Sequence, residues 1–281
     1  MKIAVLAENS VCQTNSRNVK SEHGISLFIE FGERKILFDT GQSDLFIRNA
    51  IKMGIDLSEI DYVIISHGHF DRGGGLKHFL NLNRKAKVYL HRLAFHKFYT
   101  KISTLIPYYV GLDQKLFNQY AERIHFIDKD TSIDQDVLLV EGFPSGFPQP
   151  EANKALFEKL DKQLIPDMFR HELAMVLTEH DELVIFSGCS HSGIMNIIEK
   201  VRSVFPDEKI KAVFGGLHIH NPISKKDETP AYIAKLTAEM QVMNLVFYTG
   251  HCTGEANFRS IREKLGMKIQ TMNTGELILV R

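Results

Sequence analysis

Cysteine is scarce: Cys12, Cys189 and Cys252 are the only three in 281 residues. They are too few and too scattered for a disulfide framework, which fits a reducing cytoplasm. Charge of one sign is lacking as well. Lys+Arg 34 against Asp+Glu 34 leaves no net charge, so no global field draws the chain to nucleic acid or a membrane surface. No apolar run approaches the ~18 residues of a membrane span. The opening run Lys2 to Ala7 is too short for a signal peptide and reads as a first strand. A Gly-x-Ser-x-Gly elbow and a phosphate-binding Gly-Lys-Ser/Thr loop are both missing, and Gly73-Gly74-Gly75 lacks the spacing of a dinucleotide fingerprint. What remains is an ordinary balance, 44% hydrophobic and 24% charged, able to fill the core of one large α/β domain or two small ones. The 13 histidines carry more information than these totals.

Two of them organise the chain. Tyr62 to Ile65 reads as a short buried strand that stops at Ser66. Three potential metal ligands follow at every second position, His67, His69 and Asp71. Gly68 and Gly73-Gly74-Gly75 allow tight turns around them. Two imidazoles and a carboxylate at a strand end suit zinc, iron or manganese. A polar loop with incidental histidines is the bland alternative. It accounts poorly for alternation, glycines and buried strand together.

Along the chain, Ser26 to Glu30 and Lys35 to Phe38 read as a hairpin whose second strand delivers Asp39-Thr40-Gly41. Glu8 to His23 is a polar loop able to overhang a site. Asp44 to Met53 is an amphipathic helix with Leu45, Ile47, Ala50 and Ile51 toward the core, stopped by Gly54. Residues from about 91 to 120 form an aromatic-rich insertion expected to be helical. It is a candidate flap over substrate or contact for a second copy of the chain, with plain packing as the bland reading. Three prolines and two glycines make 142–150 a long loop and a candidate hinge. Ala152 to Leu164 is expected to be helical, and later units alternate strand, turn and helix.

Four separate strand ends carry histidine among glycines or small residues. They are Ser66-His67-Gly68-His69, Cys189-Ser190-His191-Ser192-Gly193, Gly216-Leu217-His218 and Gly250-His251-Cys252. In α/β architectures the carboxyl ends of neighbouring strands open onto one crevice. His67, His69, Asp71, His191 and His251 are therefore candidates for one metal centre.

Leu37-Phe38-Asp39-Thr40-Gly41 followed by Ser66-His67-Gly68-His69-Phe70-Asp71 resembles the metallo-β-lactamase superfamily. The later histidine motifs narrow the resemblance to the archaeal 7,8-dihydropterin-6-methyl-4-(β-D-ribofuranosyl)aminobenzene-5′-phosphate synthases and their bacterial relatives. It spans most of the chain and implies an α/β fold, the four-layer αββα sandwich, as a single domain over 1–281. It implies one or two divalent metal ions, zinc first and iron or manganese as alternatives. His67, His69 and His191 would surround one ion, with Asp71 and His251 at a second position. Asp39 would orient the histidine loop through hydrogen bonds. Cys189 is a possible further ligand, with a small buried residue as its bland alternative. His218 is a candidate ligand or substrate contact.

Arg72 departs from the superfamily's His-x-His-x-Asp-His pattern. Guanidinium offers donors only and cannot coordinate a metal. Arg72 is therefore expected to weaken or abolish a second metal position, to pair with Asp71, or to clamp a substrate carboxylate or phosphate. The expected activity is metal-dependent hydrolysis or transfer on a small molecule, with a pterin or phosphate-bearing compound implied by the narrower resemblance. Asp71, Arg72 and His218 are the candidate catalytic groups, and Phe95, Phe98, Tyr99, Tyr108 and Tyr109 are candidates for stacking on a flat ring. A ligand-binding protein on the same fold, catalytically weakened at Arg72, is the alternative. Neither nucleic acid nor membrane is expected as a partner; a small-molecule substrate is, and a homo-oligomer is an open alternative for the assembly.

Overall fold

Apolar strands that deliver polar residues at their carboxyl ends recur throughout the structure. The computed structural model describes residues 1–14, 16–101, 106–221 and 225–280. The chain divides into two compact units. The first comprises Met1–Lys97, Val110–Asp128 and Met272–Arg281, the second Phe98–Tyr109 and Lys129–Thr271.

A seven-stranded sheet forms the first unit. Its spatial order is Leu277–Leu279, Lys2–Ala7, Ser26–Phe31, Arg34–Phe38, Tyr62–Ile65, Lys87–His91 and Ile124–Ile127. The first four pair antiparallel in sequence, and the last four form a parallel run. Parallel strands are covered on both faces and read as continuous apolar runs. Val63, Ile64 and Ile65 fit this, with no exposed surface. Each such side chain contributes roughly 1.5–3 kcal/mol by leaving water.

Helix Leu45–Met53 packs on this sheet and ends at Gly54, whose φ of 73° lets its N–H reach Ala50 O and Ile51 O. Its buried face is Leu45, Phe46, Asn49 and Ala50. Ile51, expected on the core side, is 71% exposed. The reason is Asn49, a polar residue that faces inward. Its Nδ2 donates to Leu6 O and Lys20 O, both at 2.8 Å, and its Oδ1 accepts from Lys20 N–H. Those bonds tie the 8–23 loop to the sheet. Asn15 of that loop lies outside the described residues.

The second unit has its own seven-stranded sheet, in the order Ile269–Thr271, Val246–Thr249, Lys209–Phe214, Glu182–Ser187, Ala174–Glu179, Val137–Val140 and Thr131–Asp134. It repeats the same plan of antiparallel hairpins joined to a parallel run. Helix Ile194–Val204 buries Ile194, Ile197, Ile198 and Val201 against it. Asn196 on that helix accepts from Phe147 N–H and donates to Phe147 O, which anchors the proline-rich 142–150 loop.

Two helical expectations fail. Ala152 to Leu164 begins as a short 3-10 turn, Glu151–Ala155, and then forms the hairpin Leu156–Leu160 and Gln163–Pro166. Over 91–120 the described residues hold a 3-10 turn, strands Lys97–Lys101 and Pro107–Tyr109, and only one short α-helix, Lys115–Gln119. Residues 102–105 of that segment lie outside the described residues. Phe98 and Thr100 are buried while Lys97, Tyr99 and Lys101 face outward to varying degrees, the period-two burial of a strand. Among the described residues no helix is long and apolar enough to cross a membrane.

Close backbone approach explains the glycine run. A Cβ on Gly75 would lie 2.3 Å from Thr40 O and 2.5 Å from Ser43 O. Gly75→Ala is therefore expected to lower unfolding free energy by about 1–3 kcal/mol, read by urea titration. Gly146→Ala, where nothing lies within 4 Å, should leave the midpoint unchanged.

Candidate functional site

In the first unit the chemistry starts at Asp39, at the end of strand Arg34–Phe38. Its backbone is left-handed, with φ +58°, a conformation uncommon outside glycine. It has no exposed surface. Oδ1 accepts from Ser66 N–H at 2.7 Å and Oδ2 from Ser66 Oγ at 2.8 Å. Burial pushes the Asp39 carboxyl up to about 7, against the opposing pull of the Arg72 guanidinium and the Ser66 bonds. Ser66 Oγ also lies 3.0 Å from His67 Nδ1. With the serine proton given to Asp39, Nδ1–H donates to Oγ and the acceptor lone pair sits on Nε2. The His67 and His69 rings meet edge to face at 4.8 Å. One donor atom each from His67, His69 and Asp71 lies within 4.8 Å of the others, and all three residues are buried.

Arg72 is fully buried. Its Nε is 3.9 Å from Asp39 Oδ2 and its terminal nitrogen 3.8 Å from Asp71 Oδ2. Its carbonyl accepts from Thr40 N–H and Oγ1. Of the three roles expected for this residue, the geometry matches pairing with carboxylates. His23 is a contributor that sequence reasoning missed. Its Nε2 lies 3.8 Å from Asp71 Oδ2, and nothing in the polar 8–23 loop marks it out.

In the second unit three parallel strand ends are laced together. Gly216 N–H donates to Gly188 O, Gly215 N–H to Tyr248 O, and Leu217 N–H to Thr253 Oγ1. Three non-glycine residues at these ends have left-handed backbones: Ser190 (φ 58°), His218 (φ 50°) and His251 (φ 50°). Such strain persists where surrounding structure enforces it, and it gathers at functional sites.

His191 is held from several sides. Its N–H and that of Ser192 donate to the two oxygens of Glu172, at 2.7 and 2.8 Å. Burial raises the Glu172 carboxyl pKa, and these bonds pull the other way. His191 Nδ1 lies 3.0 Å from Asn153 Oδ1 while Asn153 Nδ2 donates to His191 O. Since Oδ1 is an acceptor, Nδ1 carries the proton and Nε2 the lone pair. Phe169 stacks on the ring at 4.3 Å and 5°. Asn153, Glu172 and Phe169 were not anticipated. The His218 ring lies 4.1 Å from that of His191. Donor atoms of Cys189, His218 and Cys252 also gather within 4.8 Å, all three residues buried.

Several candidate stacking rings have structural partners instead. Phe95 packs on Phe117 and Phe126, and Phe98 is buried 4.0 Å from the His171 ring. Tyr99 pairs with Tyr109, while Tyr108 is 55% exposed.

The donors suit a metal. They are buried imidazoles, with the second nitrogens of His67 and His191 anchored and a carboxylate beside His67 and His69, the chemistry of zinc and related divalent ions. Strand-end histidines on two hairpin-plus-parallel sheets define a class, the metal-binding α/β proteins. The family model of the metallo-β-lactamase superfamily matches residues 23–191. The chain belongs to that superfamily. It is 26% identical to the 7,8-dihydropterin-6-methyl-4-(β-D-ribofuranosyl)-aminobenzene-5′-phosphate synthase of Methanocaldococcus jannaschii over 92% of this chain and 90% of the relative. An uncharacterised protein of the same organism is 25% identical, over 90% of each. Among solved structures, a metal-dependent hydrolase of the β-lactamase superfamily matches 100% of this chain and 99% of its own, at 30% identity and TM-score 0.81. The expected α/β metallo-β-lactamase fold is thus confirmed.

Asp39→Ala would remove the acceptor for both Ser66 donors and a counter-charge of a buried guanidinium. Loss of one partner of such a pair costs about 3–5 kcal/mol, to be read by urea unfolding. Asp39→Asn keeps an acceptor for Ser66 and should lose clearly less.

Proposed function

We propose that the chain is a metal-dependent enzyme that hydrolyses or transfers a phosphate-bearing small molecule, with a reduced pterin as the favoured substrate class. The observation that carries this reading is the buried His67, His69 and Asp71 group, fixed through Ser66 to Asp39. His67 and His69 are the ligands we assign in the first unit, His191 and His251 those in the second. Held by these residues, a divalent ion, zinc before iron or manganese, would supply Lewis acidity and a water acidified toward neutral pH.

The chain's own groups would do the rest. Ser66 and Asn153 fix the tautomers of His67 and His191, so each presents Nε2. The Asp71 carboxylate, beside His23 and Arg72, can accept a proton or orient a nucleophile. Exposed Tyr108 offers a face on which a flat ring can stack. The match to the archaeal synthase over nearly the whole length supports the pterin and phosphate assignment.

Arg72 favours a second reading, a ligand-binding protein with weakened catalysis. A fixed positive charge at the place where the superfamily pattern has histidine opposes a second cation near Asp71.

His67→Ala and His69→Ala should each lower bound metal by about one equivalent per chain and abolish turnover, by elemental analysis and by assay. The assay panel is a phosphodiester, a lactone, a thioester, and a dihydropterin with an aminobenzene ribofuranosyl phosphate. Full activity in either variant would sink the enzyme reading. Tight binding of one panel member without turnover by metal-loaded wild type would favour the binding reading. Arg72→His should raise metal content by about one equivalent over wild type; unchanged content would show that Arg72 is not what limits it.

A further inference from the structure

The sequence offers Cys189 either as a ligand of the histidine centre or as a small buried residue, and places Cys252 next to His251. Their surroundings suggest a different assignment. One donor atom from each of Cys189, His218 and Cys252 lies within 4.8 Å of the others. The residues are 3%, 8% and 3% exposed. None is in a disulfide.

His218 is the informative member. Its imidazole is more than nine-tenths buried, yet neither Nδ1 nor Nε2 has a hydrogen-bond partner among the described residues. An unpartnered buried polar group is destabilising, so a histidine retained this way calls for a partner. Two sulfurs are the donors gathered with it. The backbone also makes room for them. A Cβ on Gly216 would come within 2.4 Å of Cys252 Sγ and 3.6 Å of Cys189 Cα. Gly216 N–H meanwhile bonds Gly188 O, which locks that strand end to the turn carrying Cys189.

We propose that Cys189, His218 and Cys252 form a soft-donor site for a thiophilic divalent cation of the zinc class. Two thiolates and one imidazole leave a fourth position open. With Zn–S near 2.3 Å and Zn–N near 2.0 Å, a tetrahedral ion sets donors roughly 3.5–3.8 Å apart. Donors within 4.8 Å can reach that by side-chain rotation. Binding releases the two thiol protons to solvent, and the ion takes both sulfur lone pairs. The site is assigned no ligand from the His67, His69 and Asp71 group, and its occupancy is read apart from turnover.

Cobalt(II) is the first probe, on full-length reduced protein. Bound cobalt should show a thiolate-to-metal charge-transfer absorption in the near ultraviolet. Cys189→Ser and Cys252→Ser should each cut it at least about twofold; Cys12→Ser and His67→Ala should leave it intact. X-ray absorption at the zinc edge of wild type then needs no variant to fold, and a sulfur shell near 2.3 Å is expected. Overturning results are no charge-transfer band at saturating cobalt, a band undiminished in Cys252→Ser, or zinc with only nitrogen and oxygen neighbours. Loss of turnover in His67→Ala with the band retained would support both assignments separately.

Discussion

Everything in the first unit's donor group depends on the Asp39 carboxylate. It sits without solvent at the end of a parallel strand, on a left-handed backbone, and accepts both donors of Ser66. Burying a carboxylate is costly unless it is paired and hydrogen-bonded. Two hydrogen bonds and a guanidinium 3.9 Å away reduce that cost without removing it, which is why the group remains shifted toward protonation. The return is geometric. Ser66 is held at backbone and hydroxyl together, and its hydroxyl sets the tautomer of His67. A histidine at the mouth of a glycine-rich loop thereby gains one orientation, which loop sequence alone would not enforce.

The second unit reaches the same end with other groups. Glu172 takes the two consecutive N–H groups at His191 and Ser192, and Asn153 bonds both the ring and the carbonyl of His191. The stacked Phe169 limits ring rotation. Each unit thus has a buried carboxylate that organises a histidine turn from another segment. In both cases the turn follows a parallel strand, where the chain must leave the sheet and the last carbonyls and amides need new partners.

That division explains what the sequence made legible. Strands such as Tyr62–Ile65 and the histidine turns behind them are local signals: an apolar run, a stop, glycines and ligands within a few residues. Asp39 was legible through its place after Leu37-Phe38 in the superfamily resemblance, now supported by the match over 23–191. Asn153, Glu172, Phe169 and His23 act across space, and no local pattern points at them. Asn153 was further hidden by a wrong element. Leu156, Phe157, Leu160, Leu164 and Ile165 have helical spacing, but Asp161 takes φ +53° and turns the chain so that Leu160 faces Gln163 in a hairpin. Turn chemistry at Asp161-Lys162 outweighed periodicity. The 91–120 segment misled for a related reason. Its aromatics fit either period, and alternate burial along Lys97–Lys101 decides for a strand.

Arg72 makes electrostatics the constraint on any account of this protein. Asp39 and Asp71, when ionised, bring two negative charges into a buried region, and the guanidinium returns one positive charge, a net of −1 before any ion arrives. One dication brings that to +1, whereas two would bring +3. A neutral histidine at position 72 would give 0 and +2 instead. At an effective dielectric of ~20, unit charges several ångströms apart interact by a few kcal/mol, and a dication doubles that. Arginine cannot relieve the repulsion by losing its proton, and with its side chain fully buried it has no solvent to screen it. The carboxylates on either side hold it in place, so the charge belongs to the fold as much as Asp39 does. A chain built this way favours one divalent cation beside His67 and His69. Any further ion is better placed on soft donors, where two thiolates supply their own negative charge.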